Sequence, residues 1–243
     1  MRVGAPRALL PWLYSKYIHR TDELTTTRKC IELTAQPTPE ASVRRAAHRP
    51  SRRDEIIAAA VDLFAELGFA EASVNDIADA ANVVVSGIYY HFDGKAELFD
   101  AATAAVYDSL DAAIETARVG HAPGSAEELA SVIRAGNQWV DDHPHASKML
   151  YSQLPGATPE SARLRDEHEA GHVAMAHRYV QRAAESGSEI EIGNPAGELA
   201  ARTLVHLMIS VMPLRLEGGL LSRRSPKSLE ASLQVVGNQI VFA

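Results

Sequence analysis

The sequence predicts an all-α fold of about nine helices, with a three-helix head near the N-terminus and a longer helical bundle behind it. Three observations predict it. Ala, Leu, Glu and Arg are plentiful and β-branched runs are few, which is the composition helices favour. Apolar residues recur at three- and four-residue intervals between Ser/Thr/Asn caps and Gly/Pro breaks. Residues 73–95, SVNDIADAANVVVSGIYYHFDGK, read as two short helices joined by a tight turn.

Residues 1–50 carry Pro6, Pro11, Pro37, Pro39 and Pro50, which interrupt any long helix. Trp12, Tyr14 and Tyr17 make at most a short amphipathic piece, and the segment is expected to be a largely disordered extension. Ser51, paired with Asp54, opens the first helix, whose inward stripe is Ile57, Ala60, Val61, Phe64 and Ala65. Gly68 ends it in a left-handed cap and Phe69 packs back. Ser73 and Asp76 form a second capping box, with Val74, Ile77 and Ala78 inward. Ala80 and Ala81 are small enough for a close crossing, Asn82 suits a left-handed turn position, and Val83 plugs the space under the turn. The next helix, from Val84 to about Phe92, turns Ile88 and Phe92 inward. It leaves Ser86, Gly87, Tyr89, Tyr90 and His91 on the other face, with one of the two tyrosines expected to pack partly into the core.

Asp93 is expected to cap a helix over 95–118, with Leu98, Phe99, Ala102, Val106, Leu110 and Ile114 at helical spacing. Residues 119–124 form a loop, and Ser125 with Glu128 opens a helix to Asp142. A short helix over 144–153 stops at Leu154-Pro155-Gly156. Thr158, with Pro159 at the first helical position, starts a long helix to Ser186. After a polar break over 187–193, Asn194 and Pro195 start a helix to about Leu216, and Ser225-Pro226 starts the last one.

At 243 residues and 46% hydrophobic, the chain can bury a sizeable core. A single Cys30 excludes an intrachain disulfide framework and fits a reducing cytoplasm. No apolar run approaches the roughly 18–20 residues of a membrane span. The best candidate, residues 199–216, contains Arg202, His206 and Arg215. The net charge of −7 is unevenly spread: residues 1–53 hold eleven Lys/Arg against four Asp/Glu, a net of +7, which leaves −14 on the rest. A basic start on an acidic body suits a protein that meets phosphates at one end only.

Two helices joined by a three- or four-residue turn form a helix-turn-helix, whose second helix enters the major groove of DNA. Residues 52–99 resemble the DNA-binding domain of the TetR (tetracycline-repressor) family of transcriptional regulators. The likeness rests on Ile77-Ala78, Ala81-Asn82-Val83, Ile88-Tyr89-Tyr90-His91-Phe92 and Lys95-Ala96-Glu97-Leu98-Phe99, and covers about a fifth of the chain. It implies a homodimeric, cytoplasmic regulator, a repressor released from a palindromic operator by a small molecule, with no enzymatic activity and no cofactor. It implies a head over 51–97 and an effector-binding and dimerisation body over 98–243. It sets Ser73 at a phosphate, Val85, Ser86, Gly87 and Tyr90 along the groove, and Tyr89, His91 and Lys95 toward backbone phosphates. Lys95 is expected to point away from the core. Arg52 joins Arg44, Arg45, Arg49 and Arg53 in a basic arm. Val84 and Val85 stand where the family commonly has polar or basic residues, so direct base readout is thin and DNA shape carries more of the specificity.

His168-Glu169-Ala170-Gly171-His172 matches HExxH, the arrangement of zinc hydrolases in which two His bind metal and the Glu is the base. Such a site needs a third protein ligand. His177 lies about 140° round the helix from His172, and Glu189 and Glu191 follow a break, so no metal is assigned and the hydrolase stands as the rival reading. A third reading is a ligand sensor with a helix-turn-helix that no longer binds DNA. In the body, the resemblance implies an apolar pocket for an uncharged or amphipathic effector, with Trp139, Met149, Tyr151, His168, His172, Met175, Tyr179 and His206 as candidate lining and His143 and His145 as further polar candidates. The last two helices carry wide apolar stripes (Leu199, Leu204, Leu207, Met208, Val211; Leu229, Leu233, Val236, Ile240), expected to form the dimer interface.

Overall fold

The computed structural model describes residues 51–153, 157–185, 195–216 and 219–242. The arm residues Arg44, Arg45 and Arg49, the breaks at 154–156 and 187–193, Asn194, Glu189 and Glu191 lie outside the described residues. Within them the chain forms nine α-helices: α1 (Arg52–Glu71), α2 (Val74–Ala80), α3 (Val85–Tyr89), α4 (Lys95–Arg118), α5 (Ala126–Asp142), α6 (Pro144–Lys148), α7 (Pro159–Glu185), α8 (Pro195–Arg215) and α9 (Pro226–Phe242). A turn of π-helix, Met149–Gln153, continues α6. There is no strand among the described residues.

The caps fall where side-chain chemistry places them. Ser51 and Ser73 each accept a hydrogen bond from the backbone of the Asp three residues on, and that Asp accepts one back. Ser125 Oγ accepts from Glu128 N–H at 3.1 Å, and Thr158 Oγ1 from Ser161 N–H at 2.9 Å. Gly68 sits at φ 81° and breaks the helical path of α1, while Asn82 takes φ 53° at the turn after α2. One cap differs from expectation. Gly94, not Asp93, is the N-cap of α4, because the Asp93 N–H is taken by the Glu97 carboxylate reaching back from the first turn.

One apolar cluster runs from the head into the body. Phe64, Phe69 and Phe99 pack edge to face, with centroids 4.9 Å apart for Phe64–Phe99 and 5.0 Å for Phe69–Phe99. The same cluster continues through Val106 and Leu110 of α4 to Trp139, Met149, Leu150 and Met212. Trp139 Nε1–H donates to Ser109 Oγ at 2.9 Å, tying α5 to α4 at depth. A second cluster joins α5, α7, α8 and α9 through Leu129, Ile133, Tyr179, Val180, Ala201, Leu204, Leu233 and Val241. Helix α4 therefore belongs to both halves: Leu98 and Phe99 are fully buried in the head, and Leu110 and Ile114 face the body.

Candidate nucleic-acid interface and effector cavity

Helix α3 has only five residues and no side-chain cap, so it is too short to hold itself together. It is pinned from below by Ile88 and Phe92, both buried, while the N–H of Val83 donates to Ala78 O at 2.9 Å and fixes the turn. This leaves the opposite side exposed. Tyr90 is 84% exposed and Tyr89 55%, so neither packs into the core as one of them was expected to do. Ser86 is exposed beside them, and His91, half-buried, meets the Tyr90 ring edge-on at 4.9 Å. A Cβ added to Gly87 would touch only Val83 and Val84, at 3.8 and 3.9 Å, which is ordinary contact. The fold therefore does not require glycine there, and the bare backbone suits close approach by something outside the chain.

Two residues sit differently from the sequence reading. Val85 is half-buried and leans on the core; Val84, 72% exposed, is the valine that faces out. Lys95 does not point away. Its ammonium donates to Ala70 O and Ala72 O, each at 3.0 Å, and lies 4.8 Å from the centroid of Phe69. The carbonyls at the frayed end of α1 have no helical partners, and a cation at a helix C-terminus is where the dipole favours one. Ser73 has its hydroxyl committed to Asp76. Arg52 is exposed and pairs with Glu55 at 2.7 Å, and the Arg53 guanidinium lies 5.0 Å from the centroid of Phe92. Arg52, Arg53 and Lys95 are the only Lys/Arg in residues 51–95.

In the body, a cavity of about 140 Å³ lies between α4, α5, α7 and α8. Its walls are mostly apolar: Leu110, Ile114, Ile133, Met175, Leu204, Met208 and Met212 among others. Of the candidate lining, Tyr151, His172, Met175 and Tyr179 border it. Trp139 and Met149 do not; both are packed inside the larger core. His168 is stacked on Tyr107 at 3.9 Å, outside the lining, and His206 is on the surface, 3.4 Å from Glu169. His145 reaches the head instead, with Nδ1 2.6 Å from Asp62 of α1, and His143 stacks on Trp139. Sequence periodicity cannot separate a side chain that borders a void from one that fills the core beside it, so Ile114, Ile133 and Leu204 were legible only as apolar.

The polar groups of the lining neutralise one another. Glu128 is buried, accepts Arg118 Nε–H at 3.0 Å and the Gly124 N–H at 2.7 Å, and leaves no net charge facing the cavity. Tyr179 Oη–H donates to Ser125 O at 3.0 Å, and burial raises the pKa of its phenol. Burial likewise pushes Tyr151 up to about 12. Both phenols are neutral hydrogen-bonding groups in an apolar wall.

A short helix held outward on a buried support, with a helical bundle enclosing an apolar cavity behind it, defines a helix-turn-helix head on an all-helical body. Residues 56–102 match the family model for bacterial regulatory proteins of the tetR family. The probable acrEF/envCD operon repressor of Escherichia coli is 48% identical over 48 residues, 20% of this chain and 22% of that protein. The transcriptional repressor KstR2 of Mycobacterium tuberculosis is 32% identical over 101 residues, 42% of this chain and 50% of that protein. The chain thus spans between about a fifth and a half of the length of these curated relatives. FadR of Bacillus subtilis, solved in complex with stearoyl-CoA, superposes with a TM-score of 0.65 at 21% identity, over 77% of this chain and 96% of that one. The head thus matches the tetR family model over residues 56–102, the aligned stretch with KstR2 is longer than the head, and the fold shared with FadR extends through the body.

Proposed function

We propose that this protein is a DNA-binding transcriptional regulator, a repressor that works as a homodimer and leaves its operator when an apolar small molecule enters the body. The observation that carries the reading is the outward face of α3: Ser86, Tyr89 and Tyr90 are exposed, with Gly87 half-buried between them, while Ile88 and Phe92 anchor the helix beneath. Nothing in the fold requires two exposed tyrosines or a glycine on that face. A duplex lying against it would use both.

The effector reading rests on the cavity. Its apolar walls and self-neutralised Arg118–Glu128 pair favour an uncharged or aliphatic group over an ion. A void of about 140 Å³ has the size that takes one benzene-sized group. A longer chain, such as the acyl group of the ligand in the FadR complex, needs the walls to part. Helix α4 forms one wall and also carries the head core, so parting the walls moves the head. A ligand that binds better to the parted state shifts the population toward head spacings that miss successive major grooves.

The dimer face is narrower than the sequence stripes indicated. Leu204 and Leu233 are buried within the chain, and Leu207, Met208, Val211, Leu229 and Ile240 pack against the same core. What α8 and α9 leave exposed is Leu199, Leu214, Val235, Val236 and Phe242. We assign these to the partner subunit. The hydrolase reading is weaker, since Glu169 turns to His206 on α8 rather than to the histidine pair. No helix of the described residues is long and apolar enough to cross a membrane, which fits a cytoplasmic regulator. The test is selection of bound duplexes from a random library, followed by titration with medium- and long-chain acyl compounds. A palindromic winner released by ligand is expected. Weak binding that is indifferent to salt and sequence would favour a sensor without a DNA target.

A further inference from the structure

The HEAGH segment acquires a partner that its sequence does not show. His168 and His172, one turn apart on α7, face Asp111 of α4. His172 Nε2 lies 2.8 Å from Asp111 Oδ1, and His168 Nδ1 lies 3.4 Å from the same oxygen. The two imidazole planes are near-perpendicular, with centroids 5.7 Å apart. No two of the three donor atoms are more than 4.8 Å apart. Four-coordinate zinc, with bonds of about 2.0–2.1 Å, holds its donors roughly 3.3 Å apart. The three side chains therefore need only torsional adjustment to close on one ion.

A second observation points the same way. His168 Nδ1 is buried from water, and its one polar neighbour is the Asp111 carboxylate at 3.4 Å, a long contact that falls short of a well-formed hydrogen bond. An unsatisfied buried nitrogen is a cost that structures normally avoid. Its ring is nonetheless held in place, stacked on Tyr107 at 3.9 Å with the planes 13° apart. Tyr107 precedes Asp111 by one turn, so α4 supplies both the carboxylate and the shelf for the ring. The histidine side chains are 18% and 19% exposed and Asp111 40%, so the carboxylate opens the cluster to solvent while His168 Nδ1 lies behind it.

We infer that Asp111, His168 and His172 form a divalent transition-metal site that clips α4 to α7, with water in the remaining position. Two imidazoles and one carboxylate suit Zn²⁺, Co²⁺ or Ni²⁺; Mg²⁺ and Ca²⁺ call for oxygen donors. Asp111 lies sixteen residues beyond Lys95, about 24 Å along the helix at 1.5 Å per residue. His172 also borders the cavity. On the regulator reading above, a bound ion holds the distal end of the lever that carries the head, so metal occupancy sets how freely an effector moves it.

The test uses untagged full-length protein stripped with chelator and titrated with Co²⁺, followed by visible d–d absorption and by calorimetry. One ion per chain is expected, with the absorption of a four- or five-coordinate centre and a raised Tm. Zn²⁺ should displace it. His172→Gln, His168→Gln and Asp111→Asn should each weaken Co²⁺ binding at least about tenfold, while leaving the circular dichroism of the metal-free protein unchanged. Should one variant fail to fold, the other two decide. Absent binding, or binding that survives both histidine substitutions and so belongs to other side chains of the protein, would overturn the inference. Neither readout involves DNA, so this result stands apart from any failure of the operator assay.

Discussion

Replacing Tyr90 by Ala separates a DNA-contacting face from a structural one. Tyr90 is 84% exposed, and its ring meets the His91 ring edge-on. Surface substitutions of this kind change stability by about 0.5 kcal/mol or less. A side chain that reads or packs on a base edge is worth about 1–3 kcal/mol. Taking about 1 kcal/mol per copy, a two-fold symmetric complex loses about 2 kcal/mol, roughly 30-fold in affinity at RT of 0.59 kcal/mol. The assay pairs fluorescence anisotropy on the selected duplex with thermal unfolding of the same preparation. Expected are an unchanged Tm and binding weakened by at least tenfold. Ile88→Ala is the contrasting control: it empties a fully buried site under α3 and should cost about 2–5 kcal/mol of stability. If Tyr90→Ala unfolds the head, or binds duplex as tightly as the parent, the outward face of α3 is not what meets DNA.

Three further outcomes are expected. Changing Arg44, Arg45 and Arg49 together to Ala should flatten the dependence of log K on log salt concentration by about 0.9 for each phosphate no longer neutralised, leaving the sequence preference of the selected duplexes unchanged. Lys95→Ala should lower the stability of the head by about 1–3 kcal/mol in urea unfolding, since the ammonium donates to two carbonyls that end α1; unchanged stability with weakened DNA binding would return Lys95 to the phosphate role the sequence suggested. Gly87→Ala should stabilise the free protein by up to about 1 kcal/mol, because the added methyl meets only ordinary van der Waals neighbours and the helix gains propensity. On the proposed reading its operator affinity should fall, as the methyl would stand between α3 and the groove.

The helices were legible in the sequence because their ends are local chemistry. Ser51–Asp54, Ser73–Asp76 and Ser125 ahead of Glu128 are read within four residues, and so is the left-handed Asn82. The exposed face of α3 was legible for the same reason, as the side opposite Ile88 and Phe92. What the sequence hid depends on distant partners. Lys95 turns back on carbonyls more than twenty residues earlier. Asp111 meets a histidine sixty-one residues later. Trp139 and Met175 look equivalent as large apolar residues, yet one fills the core and the other borders the cavity, because only packing of α4, α5, α7 and α8 decides where the void falls. The apolar stripes of α8 and α9 serve in part within the chain, whose own helices already cover Leu204 and Leu233.

The most direct test of the claim that α3 lies in the major groove is methylation protection of guanine N7, which sits in that groove, on the selected duplex. The account predicts two protected patches about one helical turn apart, one for each subunit, both abolished by Tyr89→Ala plus Tyr90→Ala. Unprotected N7 positions on a duplex that is nevertheless bound, or protection that persists in the double variant, would contradict it.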